Sequence, residues 1–352
     1  MNINLLEKMP VNVIFNPEGD DSLENRSIWF GQTTNLMELN ECRYTWAVGL
    51  YQQMREQYWV PQRLDITQDI TDYTNLIQEE RRAYKGILAY LTFLDSVQTC
   101  NLSNIKSAVT APEISLCMAE QISQEAMHNA SYQYIIETII PKEDHKSVYE
   151  FWRTDKVLFE RCKFIAAYYR NYTENPTVEN YFVMIVANFI LESMYFYMGF
   201  IFFYNLSSRM LMAGSADIFK MINRDELSHV RLYQKIIPEA MELFPHSVDQ
   251  IYEMFSKAVE HEILWANHII GGNILGITES STDQYVKYLA NIRLRSIGLD
   301  PLYPDPKYNK SPYAHLERFS DTKKEGSTKA NFFEATVTSY LMADAIPGWD
   351  SF

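Results

Sequence analysis

Two of the seven histidines follow a glutamate by three positions, a spacing that is typical of metal-binding helices. The pairs are Glu125 with His128 and Glu226 with His229. Residues three apart lie on one face of an α-helix, so each pair can offer a carboxylate and an imidazole to the same ion. Such pairs also arise by chance, and a single pair is more often a solvated surface feature. The two pairs therefore suggest a metal site without establishing it.

Two further acids lie within apolar helical stretches. Asp95 stands in Leu-Thr-Phe-Leu-Asp-Ser-Val-Gln, and Glu192 stands in Asn-Phe-Ile-Leu-Glu-Ser-Met-Tyr. A buried carboxylate is costly unless a positive charge compensates it. In helical bundles, two divalent cations are held by one acid from each of two helices and a Glu-x-x-His pair from each of two others. The predicted metal ligands are therefore Asp95, Glu125, His128, Glu192, Glu226 and His229.

Long helices must position these ligands, and the hydrophobic pattern predicts them. From about residue 36 the apolar residues recur at steps of three and four, whereas strand-type alternation is scarce. One helix is expected over 71–97, and another begins at Pro112 and is stopped by Pro141. Further helices are expected over about 146–172, 177–206, 207–235, 247–270 and 283–297. With only 12 glycines in 352 residues, the chain is predicted to be an all-α bundle of long helices.

The chain divides into three segments by composition. Residues 1–30 carry turn signals and are expected to be irregular, and 31–298 form the helical domain. Residues 299–352 begin with four prolines within twelve positions and continue with a polar stretch, so we expect a mobile tail. The end of the tail nevertheless holds large apolar side chains, which suggests a partner-binding segment: Phe332, Phe333, Tyr340, Trp349 and Phe352.

Charge and cysteine usage exclude several classes of partner and location. A net charge of −14 repels phosphate backbones, so nucleic acid is not expected to bind. The four cysteines contain no C-x-x-C, and no secretory signal is visible, which favours the cytoplasm. The stretch 181–206 is long enough to span a membrane, but Glu192 at its midpoint is expensive in lipid. A buried bundle helix is the better interpretation.

The ligand segments resemble those of the small, radical-generating subunit of class I ribonucleotide reductase. The similar segments are Leu94-Asp95-Ser96-Val97-Gln98, residues 125–132 and residues 224–229, and the resemblance extends over roughly 25–340. It implies a ferritin-like bundle in which a dimetal centre and an oxidant convert Tyr132 to a radical. The apolar pocket that shields this radical would then be formed by Phe196, Phe200 and Ile222. Diiron is expected, whereas dimanganese and mixed manganese and iron stay open.

The same resemblance implies a route for the radical out of the subunit. Trp59 and Asp225 match a relay toward His128, and Glu334 and Tyr340 match tail residues that carry the radical across an interface. The partner is a large catalytic subunit on which ribonucleotides are reduced to deoxyribonucleotides, docked through the end of the tail. A homodimer is also implied. The need for an activating flavoprotein stays open, as does the subclass, because no tryptophan follows the Pro-rich segment near Pro312.

Two other functions would use the same ligands. An acyl-chain desaturase or a hydroxylase would direct the dimetal centre at a bound substrate, but Asp95 as first ligand, Tyr132 and the aromatic tail disfavour it. A metal-storage protein would leave the tail and Trp59 without a role. The sequence therefore favours the reductase subunit.

Overall fold

The fold is described by a computed structural model that covers residues 4–243 and 248–317. Over this part of the chain the structure is helical, and its only β-bridge joins Lys8 to Thr177. The first six helices are α1 Thr45–Glu56, α2 Thr67–Asn75, α3 Gln78–Ser107, α4 Pro112–Ile139, α5 Lys142–Thr154 and α6 Lys156–Glu174. The next six are α7 Val178–Ile190, α8 Tyr197–Ser208, α9 Ala213–Leu243, α10 Val248–Ile269, α11 Glu279–Ser296 and α12 Ala314–Glu317. The all-α prediction is confirmed.

Local sequence signals explain several helix boundaries. Pro112 is the first residue of α4, where its missing N–H costs nothing, and the helix ends before Pro141. The helix predicted over 146–172 is instead two helices. Its break lies at Asp155, whose side chain accepts a hydrogen bond from the Leu158 backbone N–H at 3.0 Å and so starts α6. The same carboxylate contacts the ring of His268 at 2.7 Å, which fixes the junction against α10.

The centre of the bundle is the helical segment that runs from α7 into α8. Its residues 191–195 form a π-helical turn, so the predicted continuous helix over 177–206 is interrupted there. α3, α6, α9 and α10 all pack against α7, and α9 also packs against α8. Val178–Ser208 is long and apolar enough to cross a membrane, but every residue of its most apolar stretch is buried inside the bundle. It is a core helix, in agreement with the sequence interpretation.

The non-helical segments at both ends of the described chain are packed against the bundle. Trp29, in the irregular N-terminal segment, is buried and donates its indole N–H to the Tyr181 hydroxyl at 3.0 Å. Residues 299–317 differ from the prediction, which placed them in the mobile tail. Tyr313 is 1% exposed, and its ring contacts that of Tyr285 with the centroids 5.1 Å apart. The aromatic residues among the prolines supply apolar surface, so an irregular backbone still packs.

Candidate metal centre

The structure brings all six predicted ligands together in the middle of the bundle, and each is fully buried. Asp95 comes from α3, Glu125 and His128 from α4, Glu192 from the π-helical turn, and Glu226 and His229 from α9. Their ligand atoms form two groups, each with its atoms within 4.8 Å of one another. The first ligand group is Asp95, Glu125, His128 and Glu226, and the second is Glu125, Glu192, Glu226 and His229. Glu125 and Glu226 belong to both, as expected of carboxylates that lie between two ions.

The two imidazoles occupy matching positions on opposite sides of the shared glutamates. Nδ1 of His128 lies 3.4 Å from Oε2 of Glu125 and 3.1 Å from Oε1 of Glu226. Nδ1 of His229 lies 3.2 Å from Oε1 of Glu125 and 3.1 Å from Oε2 of Glu226. It also lies 3.3 Å from Oε2 of Glu192. Each imidazole nitrogen therefore faces carboxylate oxygens from more than one helix, which is the arrangement a shared cation requires.

The donor atoms of this cluster fit two divalent cations. Both carboxylate oxygens of Asp95 and of Glu125, Oε1 of Glu226 and Nδ1 of His128 are buried and lack a hydrogen bond of normal geometry. Buried polar atoms in proteins are almost always hydrogen-bonded, so this concentration of exceptions needs a ligand. Carboxylate oxygens and imidazole nitrogens together suit iron, manganese and related transition metals. Two such ions account for these donors.

The electrostatics of the cluster also call for cations. Burial raises the pKa of Asp95 and of Glu192 well above the ordinary value, and the charges of Glu125 and Glu226 raise both further. Burial alone would lower the pKa of His128, but the hydrogen bonds that its ring donates to neighbouring carboxylates, beginning with that of Asp225, raise the pKa well above the ordinary value. The four ionised carboxylates carry more negative charge than the two imidazoles can balance. Two divalent cations would offset that excess.

A set of amide side chains surrounds the second ligand group and was missed by the sequence analysis. Gln121 donates its Nε2 to Oε1 of Glu192 at 2.7 Å, and Gln98 donates to the same oxygen. The Nε2 atom of His229 lies 2.9 Å from Oε1 of Gln124. Such contacts orient metal ligands. The sequence does contain a signal for these amides. Gln98 follows Asp95 by three and Gln121 precedes Glu125 by four, so each amide lies on the same helix face as a predicted metal ligand.

Tyr132 is fully buried one helical turn after His128. Burial raises the pKa of its phenol well above the ordinary value, and the charge of the nearby Asp95 raises it further. The ring that contacts it is Phe219, with the centroids 6.0 Å apart and the planes at 28°. Phe219 was not predicted, because its approach depends on how α9 packs against α4 and not on a spacing within one helix.

The three residues predicted to shield Tyr132 are all fully buried. Phe200 lies 6.2 Å from Phe219 and 6.3 Å from Phe196, measured between ring centroids. Ile222 lies on α9, three residues after Phe219. Phe219 thus contacts both Tyr132 and Phe200, and the shielding role of the three predicted residues stays a prediction.

A continuous line of contacts leads from the cluster to Trp59. The indole Nε1 donates to Oδ2 of Asp225 at 2.7 Å, and this oxygen lies 3.4 Å from Nε2 of His128. The guanidinium of Arg224 holds the other carboxylate oxygen at 3.2 Å. All of these side chains are buried. The two remaining predicted site residues, Glu334 and Tyr340, lie outside the described residues, as does the docking segment 343–352.

Comparison with known proteins assigns most of the helical region to one protein family. Residues 36–312 match the family model described as ribonucleotide reductase, small chain. The chain is 36% identical over 338 residues to a ribonucleoside-diphosphate reductase subunit beta from Treponema pallidum, and the aligned residues make up 95% of each chain. It is 33% identical to the corresponding subunit from Halalkalibacterium halodurans, over 91% of this chain and 93% of that one. The solved R2 subunit of ribonucleotide reductase from Clostridium botulinum is 39% identical, with a TM-score of 0.85 over 89% of this chain and 99% of that one.

Proposed function

Because the chain belongs to the ribonucleotide reductase small-chain family, we propose that its six buried ligands hold two metal ions and that Tyr132 carries the radical. The protein is the radical-generating small subunit of a class I ribonucleotide reductase and acts together with a large subunit. The observation that carries the residue assignment is the pair of ligand groups sharing Glu125 and Glu226.

Each ion would have its own acid and its own imidazole. Asp95 and His128 would hold the first, and Glu192 and His229 would hold the second, with the shared glutamates between them. When bound, the ions supply the redox chemistry that couples an oxidant such as dioxygen to one-electron oxidation of a tyrosine. We propose iron for both positions, which these nitrogen and oxygen donors accommodate as they would manganese. Dimanganese and a mixed centre are the alternatives that metal analysis would distinguish.

The surroundings of Tyr132 determine the form of its radical. Burial disfavours the phenolate, because a negative charge on the phenol oxygen would lose its hydration. The phenol therefore does not lose its proton before oxidation. Removal of an electron makes the phenol strongly acidic, and its proton then passes to the adjacent Asp95 carboxylate, which leaves a neutral radical. The rings of Phe219 and Phe200 exclude water and reductants from it.

The line of contacts from His128 through Asp225 to Trp59 supports a relay role for these residues. Asp225 accepts the indole N–H, so it can take a proton as Trp59 loses an electron. We assign Glu334 and Tyr340 to the onward step and residues 343–352 to docking on the large subunit. We also propose a homodimer, which family membership supports. We place the protein in the cytoplasm, which the four unpaired cysteines support. The requirement for a flavoprotein activator is left to reconstitution experiments.

The radical assignment is tested by Tyr132→Phe. The protein is loaded with iron or manganese and exposed to oxidant, and electron paramagnetic resonance is recorded beside metal analysis. The variant should retain two metals per chain and lose the tyrosyl signal. Survival of the wild-type signal in the variant would place the radical elsewhere.

The roles assigned to the tail are separated by two variants. Tyr340→Phe should keep both the Tyr132 radical and binding to the large subunit but abolish nucleotide reduction. Deletion of residues 343–352 should weaken binding to the large subunit without affecting the radical. Near-normal turnover of Tyr340→Phe would refute the relay assignment while leaving the enzyme class intact.

A further inference from the structure

The π-helical turn that carries Glu192 is held by side chains from outside its own helix. A π turn interrupts the regular i to i+4 hydrogen bonding of an α-helix, and such turns are frequent at functional sites. Here the Ser193 carbonyl accepts a hydrogen bond from Nε of Arg293 at 3.0 Å. The Tyr195 carbonyl accepts one from Nη2 of Arg161 at 2.9 Å and one from the Tyr90 hydroxyl at 2.6 Å. Two guanidinium groups therefore bind the backbone directly after a predicted metal ligand.

Arg161 is fixed in place from all sides. It is 1% exposed and donates to Oε2 of Glu262, including a contact of 2.8 Å from its Nε. Its guanidinium carbon lies 3.7 Å from the Tyr90 ring centroid, 4.1 Å from that of Tyr195 and 4.3 Å from that of Trp265. A buried charge is expensive, and here a carboxylate and three aromatic faces compensate it. The planar guanidinium can therefore hold the Tyr195 carbonyl in one position.

Arg293 reaches the same turn from α11. It is 3% exposed, and its guanidinium carbon lies 4.9 Å from the ring centroid of Tyr197, just after the turn. α3, α6, α10 and α11 thus converge through these side chains on a turn of five residues. Both arginines donate to backbone carbonyls of the turn. Their contacts fix the backbone from which the Glu192 side chain extends.

We infer that Arg161 and Arg293 are positioning residues that hold the π-helical turn so that Glu192 meets the second metal ion. This inference rests on the proposed function. Metal–ligand distances lie within about 0.2 Å of their standard values, whereas a turn without these contacts would return toward a regular helix and move the Glu192 backbone. Loss of an outer contact to a ligand typically costs about 10- to 100-fold in metal affinity. The first ligand group does not contain Glu192 and should be affected less.

The test is anaerobic titration of the full chain with Mn²⁺, followed by calorimetry and electron paramagnetic resonance. Arg293→Met removes the contact to Ser193, and Arg293→Lys keeps the charge and most of the volume. The matched control is Arg26→Met, because Arg26 is also buried, with Glu113 at 3.4 Å, but does not contact the turn. Glu192→Ala serves as the reference for loss of the second ion.

Wild type and Arg26→Met should bind two Mn²⁺ with a spin-coupled spectrum. Arg293→Met should bind the second ion about 10- to 100-fold more weakly and show an uncoupled spectrum, as Glu192→Ala does. Arg293→Lys should recover part of the affinity, and it decides the matter if Arg293→Met does not fold. If the Arg293 variants keep the wild-type affinity for the second Mn²⁺ and the coupled spectrum while Glu192→Ala loses both, the inference is wrong but the proposed function stands. Failure of wild type to bind two ions, with Mn²⁺ and with Fe²⁺ alike, would overturn the proposed metal site and the inference with it.

One double variant tests Arg161. Arg161→Leu combined with Glu262→Leu removes both charges together, so that no buried charge is left unpaired. The double variant should also lose the coupled spectrum while its far-ultraviolet circular dichroism stays that of wild type. A folded double variant with the wild-type coupled spectrum would show that Arg161 has no positioning role.

Discussion

Replacing Phe219 with alanine should destabilise the fold and shorten the life of the Tyr132 radical. Phe219 is fully buried, stacks on Phe203 with the ring centroids 3.7 Å apart, and lies 6.0 Å from the Tyr132 ring. Truncation of a buried phenylalanine costs about 3–5 kcal/mol, because apolar contacts are lost and a cavity is left. That cost is a large part of the roughly 5–15 kcal/mol by which domains are stable, but the variant should still fold.

The same free energy sets an upper limit for the change in radical lifetime. If reductants reach Tyr132 when this part of the bundle opens, a loss of about 3–5 kcal/mol makes opening about 100- to 4,000-fold more frequent, at roughly 1.4 kcal/mol per tenfold change. Decay of the tyrosyl signal in the presence of ascorbate, recorded by electron paramagnetic resonance, should accelerate within that limit. Urea unfolding of the same samples measures the stability term.

Phe255→Ala is the matched control. Phe255 is also fully buried and contacts Phe189 with the centroids 6.1 Å apart, but it lies on α10. It should show a similar loss of stability with little change in radical decay. Equal decay rates in Phe219→Ala and Phe255→Ala would refute the argument that the Phe219 ring shields the radical.

Four other substitutions should change stability in directions that the structure fixes. Trp59→Phe removes the indole donor to the buried Asp225 carboxylate, so it should cost about 1.5–3 kcal/mol in urea unfolding and abolish nucleotide reduction. In Gly49→Ala the added Cβ has no atom within 4 Å at an exposed helix position, so the substitution should raise stability by about 0.5–1 kcal/mol. In Gly214→Ala the added Cβ would lie 2.6 Å from a backbone oxygen, so the substitution should lower stability by about 1–3 kcal/mol. Asp155→Ala removes the N-cap of α6 and should cost about 0.5–2 kcal/mol at pH 7. Although burial raises the pKa of Asp155, its hydrogen bonds to a histidine and to the backbone lower it below the ordinary value, so this loss should shrink as the pH falls from above 3.8 through the folded-state pKa.

The residues of the buried cluster could be predicted from sequence because their signal is local. A carboxylate and an imidazole three residues apart on an apolar helix, such as Glu125 and His128, are recognisable without knowing which helices meet. The boundaries of α4 were equally local, since Pro112 and Pro141 act on their own backbone. In each case one helix contains the whole pattern.

Features that depend on contacts between helices could not be predicted in the same way. The break at Asp155 combines a local cap, the hydrogen bond from the Leu158 N–H, with a contact to His268 of α10, and only the second depends on how the helices pack. The π-helical turn depends on arginines that lie about 30 residues before it and 100 residues after it in the chain. Residues 299–317 looked too rich in proline to pack, but α11 offers Tyr285 as a surface for Tyr313.

The burial of Val178–Ser208 has a consequence for biosynthesis. α3 and α4 are made before this segment and α9 is made after it. At about 5–20 residues per second, translation leaves the face destined for α9 exposed for a time on the order of seconds. During that interval a segment apolar enough for a lipid bilayer has no helix to cover one side. We expect nascent chains that end near residue 210 to associate with chaperones or membranes, and chains that extend beyond α9 to be released from them.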